Sequence, residues 1–259
     1  MAHQSAGASS LSRAVRLFDA FDAGVRDLSA TQIASKADVP LTTAHRLLTE
    51  LTDLGLLERM PNRRYRIGIK LWEIAVRTPG ALGIREIATP SLQAAHRAIG
   101  QHLQLAVLHS GEVLYLERLS APKPVKILTI VGGRLPLTAA ASGYVLAAFS
   151  DPATQHSLVT QPRPPFRFTP RLTDAEFRTR LDAVRLRGYD VTQGYVHPAA
   201  TSIAVPVFGP LGNIVAAVSA VVPISDAREE FVIATLNTAA RSIRAALGRQ
   251  YSGLDGSDL

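Results

Sequence analysis

Two kinds of residue in this sequence of 259 amino acids could do chemistry: clustered cations and uncharged hydrogen-bond donors. In ERMPNRRYRIGIK, Arg59, Arg63, Arg64, Arg66 and Lys70 crowd into twelve positions beside one acid, Glu58. Such a cluster suits a polyanion such as a phosphate backbone, and serves equally as a solvated surface loop. In GGRLPLTAAASGYVLAAF, Gly132 and Gly133 precede small residues and Ser142 at the start of a helix, where free amide donors offer a seat for a small carboxylate. Ser202 and Ser219 stand in apolar strand segments, where a hydroxyl meets either the backbone or a ligand.

Catalytic groups are not expected. The sequence has no cysteine, which removes disulfides, thiolate metal sites and cysteine nucleophiles. It carries no G-x-S-x-G elbow, phosphate-binding G-x-x-x-x-G-K-[ST] loop, G-x-G-x-x-G fingerprint or H-E-x-x-H helix. His96, His102 and His109 lie close together, but 102 and 109 share a strand at odd separation and point to opposite faces, so no metal is expected. Acids are sparse in the second domain, and the strand pair after Thr201 carries none until Asp226, so a paired-carboxylate hydrolase has little to work with. Neither a metal nor a cofactor is expected.

The elements that must position these groups follow from periodicity. Apolar residues from Leu11 to Phe21 repeat as on an amphipathic helix ending near Ala23 and Gly24. Ser29 reads as the N-cap of a short helix to about Ala37, and Asp38-Val39-Pro40 as a turn. A third helix, capped by Thr42 or Thr43, turns Ala44, Leu47, Leu48, Leu51 and Leu54 inward before Gly55 stops it. Short strands at 56–58 and 65–67 around Pro61-Asn62-Arg63 complete a winged helix-turn-helix over residues 11–68. Its third helix has the length and setting that enter a DNA major groove, with Thr42, Thr43, His45 and Arg46 facing outward.

Helices at 69–76 and 82–99, the second with Pro90 inside, form an expected linker over 69–99, interrupted at Thr78-Pro79-Gly80. Beyond it the pattern reads as a hairpin about Ser110-Gly111, a strand at 125–130, helices at 143–149, 174–187 and 226–247, and a hairpin about residues 209–212. This is an α+β arrangement on an antiparallel sheet over residues 100–250, with tails at 1–10 and 251–259. The N-terminal MAHQSAGASS has neither a basic start nor an apolar block, so no signal peptide is expected. The longest apolar runs fall short of a membrane span, and the cytoplasm is the expected location. A net charge of +7 favours polyanionic partners without naming one.

The stretches LSRAVRLFDAF, IASKADVPLTTAHRLLTELTDLGLL, YRIGIKL, GGRLPLTAAASGYVLAAF, LDAVRLRGYDV and TSIAVPVFGPLGNIVAAVSAVVP, taken in order, resemble the IclR family of bacterial transcription regulators. The resemblance implies a winged helix on double-stranded operator DNA, linker helices and a C-terminal GAF-like domain that senses a small organic acid. It also implies a homodimer or homotetramer. DNA contacts are then expected at Thr42, Thr43, His45 and Arg46 of the recognition helix and at Arg63, Arg64 and Arg66 of the wing. Effector contacts are expected at Gly133, Ala141, Ser142, Ala200, Ser202, Ser219 and Val221. This chain departs from the family pattern at Asp38, where a turn glycine is usual, and at Leu41, in place of a lysine. Thr192 and Gln193 stand where acids are common, and Val221 replaces a serine found in some members, so a drier pocket suited to an aromatic or larger acid is expected. The other possibility the residues leave open is a metabolite-binding protein or enzyme whose winged helix serves assembly only.

Overall fold

A computed structural model describes residues 9–21, 25, 27–75, 81–121, 129–226 and 228–254. The chain divides into two units, residues 1–79 and 80–259.

In the N-terminal unit, α1 (Ser10–Asp19) is capped by Ser9 and closes at Asp19; the expected end at Ala23 and Gly24 lies outside the described residues. Helix α2 (Ala30–Ala37) begins at a reciprocal cap: the Gln32 amide N–H donates to Ser29 Oγ, and the Ser29 N–H donates to the Gln32 side chain. Asp38 takes the left-handed conformation (φ 50°, ψ 52°) that a turn glycine would provide. The Val39 N–H then bonds the Ala34 carbonyl and Val39 is buried, which turns the chain into α3 (Leu41–Asp53). The cap of α3 differs from the expectation. Pro40 occupies the N-cap with no side-chain bond, and its carbonyl accepts the Ala44 N–H, so Thr42 and Thr43 already lie inside the first turn. Ala44, Leu47, Leu48 and Leu51 are buried as expected, but Leu54 is 64% exposed because the helix ends at Asp53 and Leu54 leaves its inward stripe.

Strands β2 (Leu57–Arg59) and β3 (Arg64–Ile67) form the wing, and a two-residue strand absent from the periodicity, β1 (Leu28–Ser29), pairs with β3 on its other edge. The core of this unit gathers Leu17, Ile33, Val39, Leu48, Leu57 and Tyr65. Helix α4 (Ile69–Ala75) follows the wing; Val76 and the break at residues 78–80 lie outside the described residues.

In the C-terminal unit, α5 (Ala81–Ile99) belongs to a folded core although it was expected within a linker, because Ile84, Ala88, Leu92, Ala95 and Ile99 are buried against the sheet and α9. The sheet joins β4 (His102–His109), β5 (Glu112–Leu119), β6 (Arg134–Pro136), β7 (Asp190–Gln193), β8 (Ala200–Phe208) and β9 (Ile214–Pro223), antiparallel in the order β6-β5-β4-β9-β8-β7. Both expected hairpins are present, the first turning on Ser110 and Gly111 at φ 52° and 79°. Strands β6 and β7 escaped the sequence reading, being only three and four residues long. Of the strand expected at 125–130, residues 125–128 lie outside the described residues, and Thr129 and Ile130 are not in a strand.

Parity divides the sheet. Leu103, Leu105, Ile203, Val205, Val207, Val218 and Val222 turn to α5 and to α9 (Glu229–Leu254), which begins three residues later and runs further than the expected 226–247 and into the expected tail. Ala106, Val113, Tyr115, Ala204 and Ala217 turn to α6 (Ala141–Phe149) and α8 (Asp174–Arg187). A further helix, α7 (Pro152–Thr160), opens on an Asp151 cap and was not foreseen. At Gly143 a Cβ would lie 1.8 Å from the Leu137 carbonyl oxygen, so only glycine lets the Leu137–Ala139 turn close onto α6.

Candidate functional site

Thr42, His45 and Arg46 stand exposed on the outer face of α3, and Thr43 is half-buried. Arg46 Nη1 lies 2.7 Å from Glu50 Oε1 one turn on, an exposed pair that holds the guanidinium along the helix at little energetic cost to release. The wing arginines are not equivalent. Arg64 is bound to the Asp27 carboxylate and donates to the Asp27 carbonyl at 2.9 Å, fastening β3 to the segment before β1. Arg66 makes a two-pronged pair with Glu58 across the β2–β3 ladder, both bonds 2.8 Å. Arg63, at the turn with φ 60°, and Arg59 are exposed and have no side-chain partner among the described residues. The sequence count of arginines could not show this, because Asp27 is remote from the wing in sequence.

The second site is a small cavity in the C-terminal unit, lined by Gln104, Tyr115 and Thr129 on one side and by Thr192, Tyr195, His197 and Ser202 on the other. Leu135, Ala139, Ala140, Val196, Ala200 and Val221 supply its apolar surface. It sits on the sheet face opposite α5 and α9, since Gln104, Ser202 and Val221 have the parity of that face. Among the described residues no lysine or arginine lines it.

Three of the seven expected effector residues, Ala200, Ser202 and Val221, are on the wall. The other four stand one step behind it. Ser219 is buried and donates to Gln104 Oε1 at 3.3 Å, while the Gln104 amide donates to Thr129, so the serine holds a wall residue in place. Ser142 is buried with its Oγ 3.4 Å from the Tyr115 hydroxyl, and the Gly133 carbonyl accepts the Tyr115 N–H. Ala141 is buried in the core beside them. Burial pushes the Tyr115 phenol up to about 12, against the smaller pull of its Ser142 bond, so it is a protonated donor at neutral pH.

Behind the wall lies a charged cluster that sequence reasoning missed. Arg180 donates to the Tyr195 hydroxyl (2.7 Å), to both oxygens of Asp190 (3.3 and 3.0 Å) and to the Val191 carbonyl, while its guanidinium stacks 4.0 Å from the Tyr144 ring centroid. Asp190 is fully buried and also receives Arg187 at 3.3 Å. Burial pushes the Asp190 carboxyl above its ordinary value, against the pull of both guanidiniums. Helix α8 carries four arginines, and only packing tells Arg180 apart from its neighbours.

An exposed recognition helix with a wing, joined in one chain to a unit that encloses a small polar and apolar cavity, defines a ligand-sensing transcription regulator that binds DNA. The chain belongs to the IclR family: the IclR helix-turn-helix domain matches residues 10–61, and the bacterial transcriptional regulator IclR C-terminal domain matches residues 77–245. A crystal structure of an IclR homolog from Microbacterium hydrocarbonoxydans complexed with 4-hydroxybenzoate is 37% identical, with a TM-score of 0.85 over 93% of this chain and all of that one. An IclR homolog from Microbacterium sp. strain HM58-2 is 34% identical, with a TM-score of 0.59 over 97% of this chain and all of that one. The transcriptional regulator XynR of Escherichia coli is 29% identical over 217 residues, 81% of this chain and 84% of the other. The family model and the curated relatives are named transcriptional regulators, not enzymes, and this chain is a transcriptional regulator. Among the described residues no helix is long and apolar enough to cross a membrane, and no cluster of three or more metal-ligating side chains occurs.

Proposed function

We propose that the protein binds double-stranded operator DNA as a homodimer or homotetramer in the cytoplasm, and that a small aromatic acid in the C-terminal cavity modulates that binding. Thr42, Thr43, His45 and Arg46 read the major groove, where the N-terminal turn of a recognition helix meets base edges. Arg63 holds a phosphate or the minor groove; Arg64 and Arg66 take part by exchanging their protein acceptors for phosphate.

The observation that carries the effector reading is the cavity wall itself: the free hydroxyls of Thr192 and Ser202 and an imidazole at one side, apolar side chains in the middle and, among the described residues, no lysine or arginine. Such a wall favours a flat apolar body with polar substituents over a very small polar acid. The relative crystallised with 4-hydroxybenzoate supports the aromatic class. Ser202 contributes a hydroxyl and Ala200 and Val221 pack the ring, with Ser219, Ser142, Gly133 and Ala141 supporting the wall residues. A ligand touching the sheet and the Leu135–Ala140 segment would couple them, and the opposite face of the same sheet carries α5, the first helix after the N-terminal unit.

The test is a thermal-shift screen of aromatic and aliphatic carboxylic acids, followed by an operator shift on DNA upstream of the protein's own gene with and without the best acid. A raised melting temperature with an aromatic acid and a changed operator affinity are expected. Stabilisation by aliphatic acids alone would reject the aromatic class, and a shift insensitive to every stabilising acid would reject the regulatory role.

A further inference from the structure

Resting on the aromatic-acid reading, we propose that His197 recognises the effector's carboxylate by donating from Nε2. The far pole of the cavity, Gln104, Tyr115 and Thr129, then takes a second polar group across the ring.

His197 sits on the segment between β7 and β8, which is anchored at both ends: the Gly194 N–H bonds the Ala200 carbonyl and the Ala200 N–H bonds the His197 carbonyl. The Ala199 N–H donates to His197 Nδ1 at 3.2 Å. An imidazole nitrogen that accepts cannot carry the proton in the neutral ring, so the proton is on Nε2. Nε2 has no protein partner among the described residues, and the residue lines the cavity. The hydroxyls of Ser202 and Thr192 on the same wall donate or accept as the guest requires, whereas this Nε2–H only donates. A carboxamide oxygen accepts from such a donor too, but the bond to an ionised carboxylate is charge-assisted and about twice as strong.

The competing seat is the start of α6, whose N-cap Ala140 makes no side-chain bond. It reaches the cavity through Ala139 and Ala140 alone, while Ala141 and Ser142, whose N–H groups open the helix, are absent from the wall. The register supplies the second pole. Thr192, Ser202 and Val221 face one another across β7, β8 and β9, and Gln104 lies on β4 beyond β9. Two strand spacings and a two-residue offset along the strands put the Ser202 and Gln104 backbones about 12 Å apart. Val221 lies on the strand between them, a separation bridged by a ring with substituents on opposite carbons. Gln104, which donates to Thr129 and accepts from Ser219, and the Tyr115 hydroxyl, which can do either, suit a hydroxyl group there.

Calorimetry on the full chain with 4-hydroxybenzoate, benzoate and 4-hydroxybenzamide tests this, with the unfolding temperature of each variant as a fold control. Wild type is expected to prefer the acid over the amide by about tenfold or more, the range for a hydrogen bond to a charged group. His197→Ala should collapse that ratio towards unity by weakening the acid far more than the amide, and His197→Gln, which keeps a neutral donor, should restore much of it. Tyr115→Phe should shrink the preference for 4-hydroxybenzoate over benzoate and leave the acid-to-amide ratio intact. An unchanged ratio in His197→Ala, or no acid preference in wild type, overturns the assignment while the aromatic-acid reading stands. Wild type binding none of the three compounds overturns both.

Discussion

The two units handle charge in opposite ways. On the N-terminal unit Arg46, Arg59, Arg63 and Arg66 lie at the surface, paired with exposed acids or unpaired. In the C-terminal unit the charged pair Arg180 and Asp190 is hidden behind Tyr195, and among the described residues no lysine or arginine lines the wall. A DNA backbone presents a dense line of charge that exposed guanidiniums meet without leaving water, so the gain comes from released counterions. A small acid enters a site drier than bulk water, where an unpaired cation would cost heavily while the cavity is empty. A wall of neutral donors avoids that cost and leaves discrimination to geometry.

The largest expected effect lies in the hidden pair. Asp190→Ala leaves Arg180 partly buried without its carboxylate and should lower the stability of the C-terminal unit by about 3–5 kcal/mol in urea unfolding. Replacing both partners with apolar residues should recover much of that loss. A penalty near that of an exposed pair, about 0–1 kcal/mol, would remove the contrast between the units.

Ligand affinity comes next. Ser202→Val should cost about 1–3 kcal/mol of effector affinity by calorimetry with no change in operator affinity of the free protein. Ser219→Ala should cost less, because Ser219 acts through Gln104 rather than on the wall. Equal losses would put Ser219 in direct contact with the ligand.

On the DNA side, Arg46→Ala should cost about 1–3 kcal/mol of operator affinity and relax the preference at one base pair, read from binding to a set of singly substituted operators. An unchanged preference would take base reading away from Arg46. The smallest effect is expected at the wing tip: Arg63→Ala should weaken all sequences alike and reduce the salt slope by about one unit. Arg64→Ala should flatten the slope by less, since Asp27 holds that guanidinium in the free protein and competes with phosphate for it. If both variants flatten it equally, Arg64 leaves Asp27 on binding DNA.

The sequence by itself determined the elements whose cause is local. Ser29 as an N-cap, the turn at Asp38-Val39-Pro40, the buried stripe of α3 and the two hairpin turns were all legible, because each depends on residues within a few positions of one another. Where a local rule admitted two outcomes the reading slipped, as when Pro40 took the cap assigned to Thr42 or Thr43. Gln104, flanked by Leu103 and Leu105, carried a signal that went unread, a polar residue alternating with leucines on a buried strand. Only the tertiary structure decided the rest. The partnership of Asp27 with Arg64, the choice of Arg180 among the arginines of α8, and the meeting of Tyr115, His197 and Ser202 around one cavity join residues far apart in sequence. A side chain's partner across such distances is set by strand register and helix packing, which no local pattern of residues encodes.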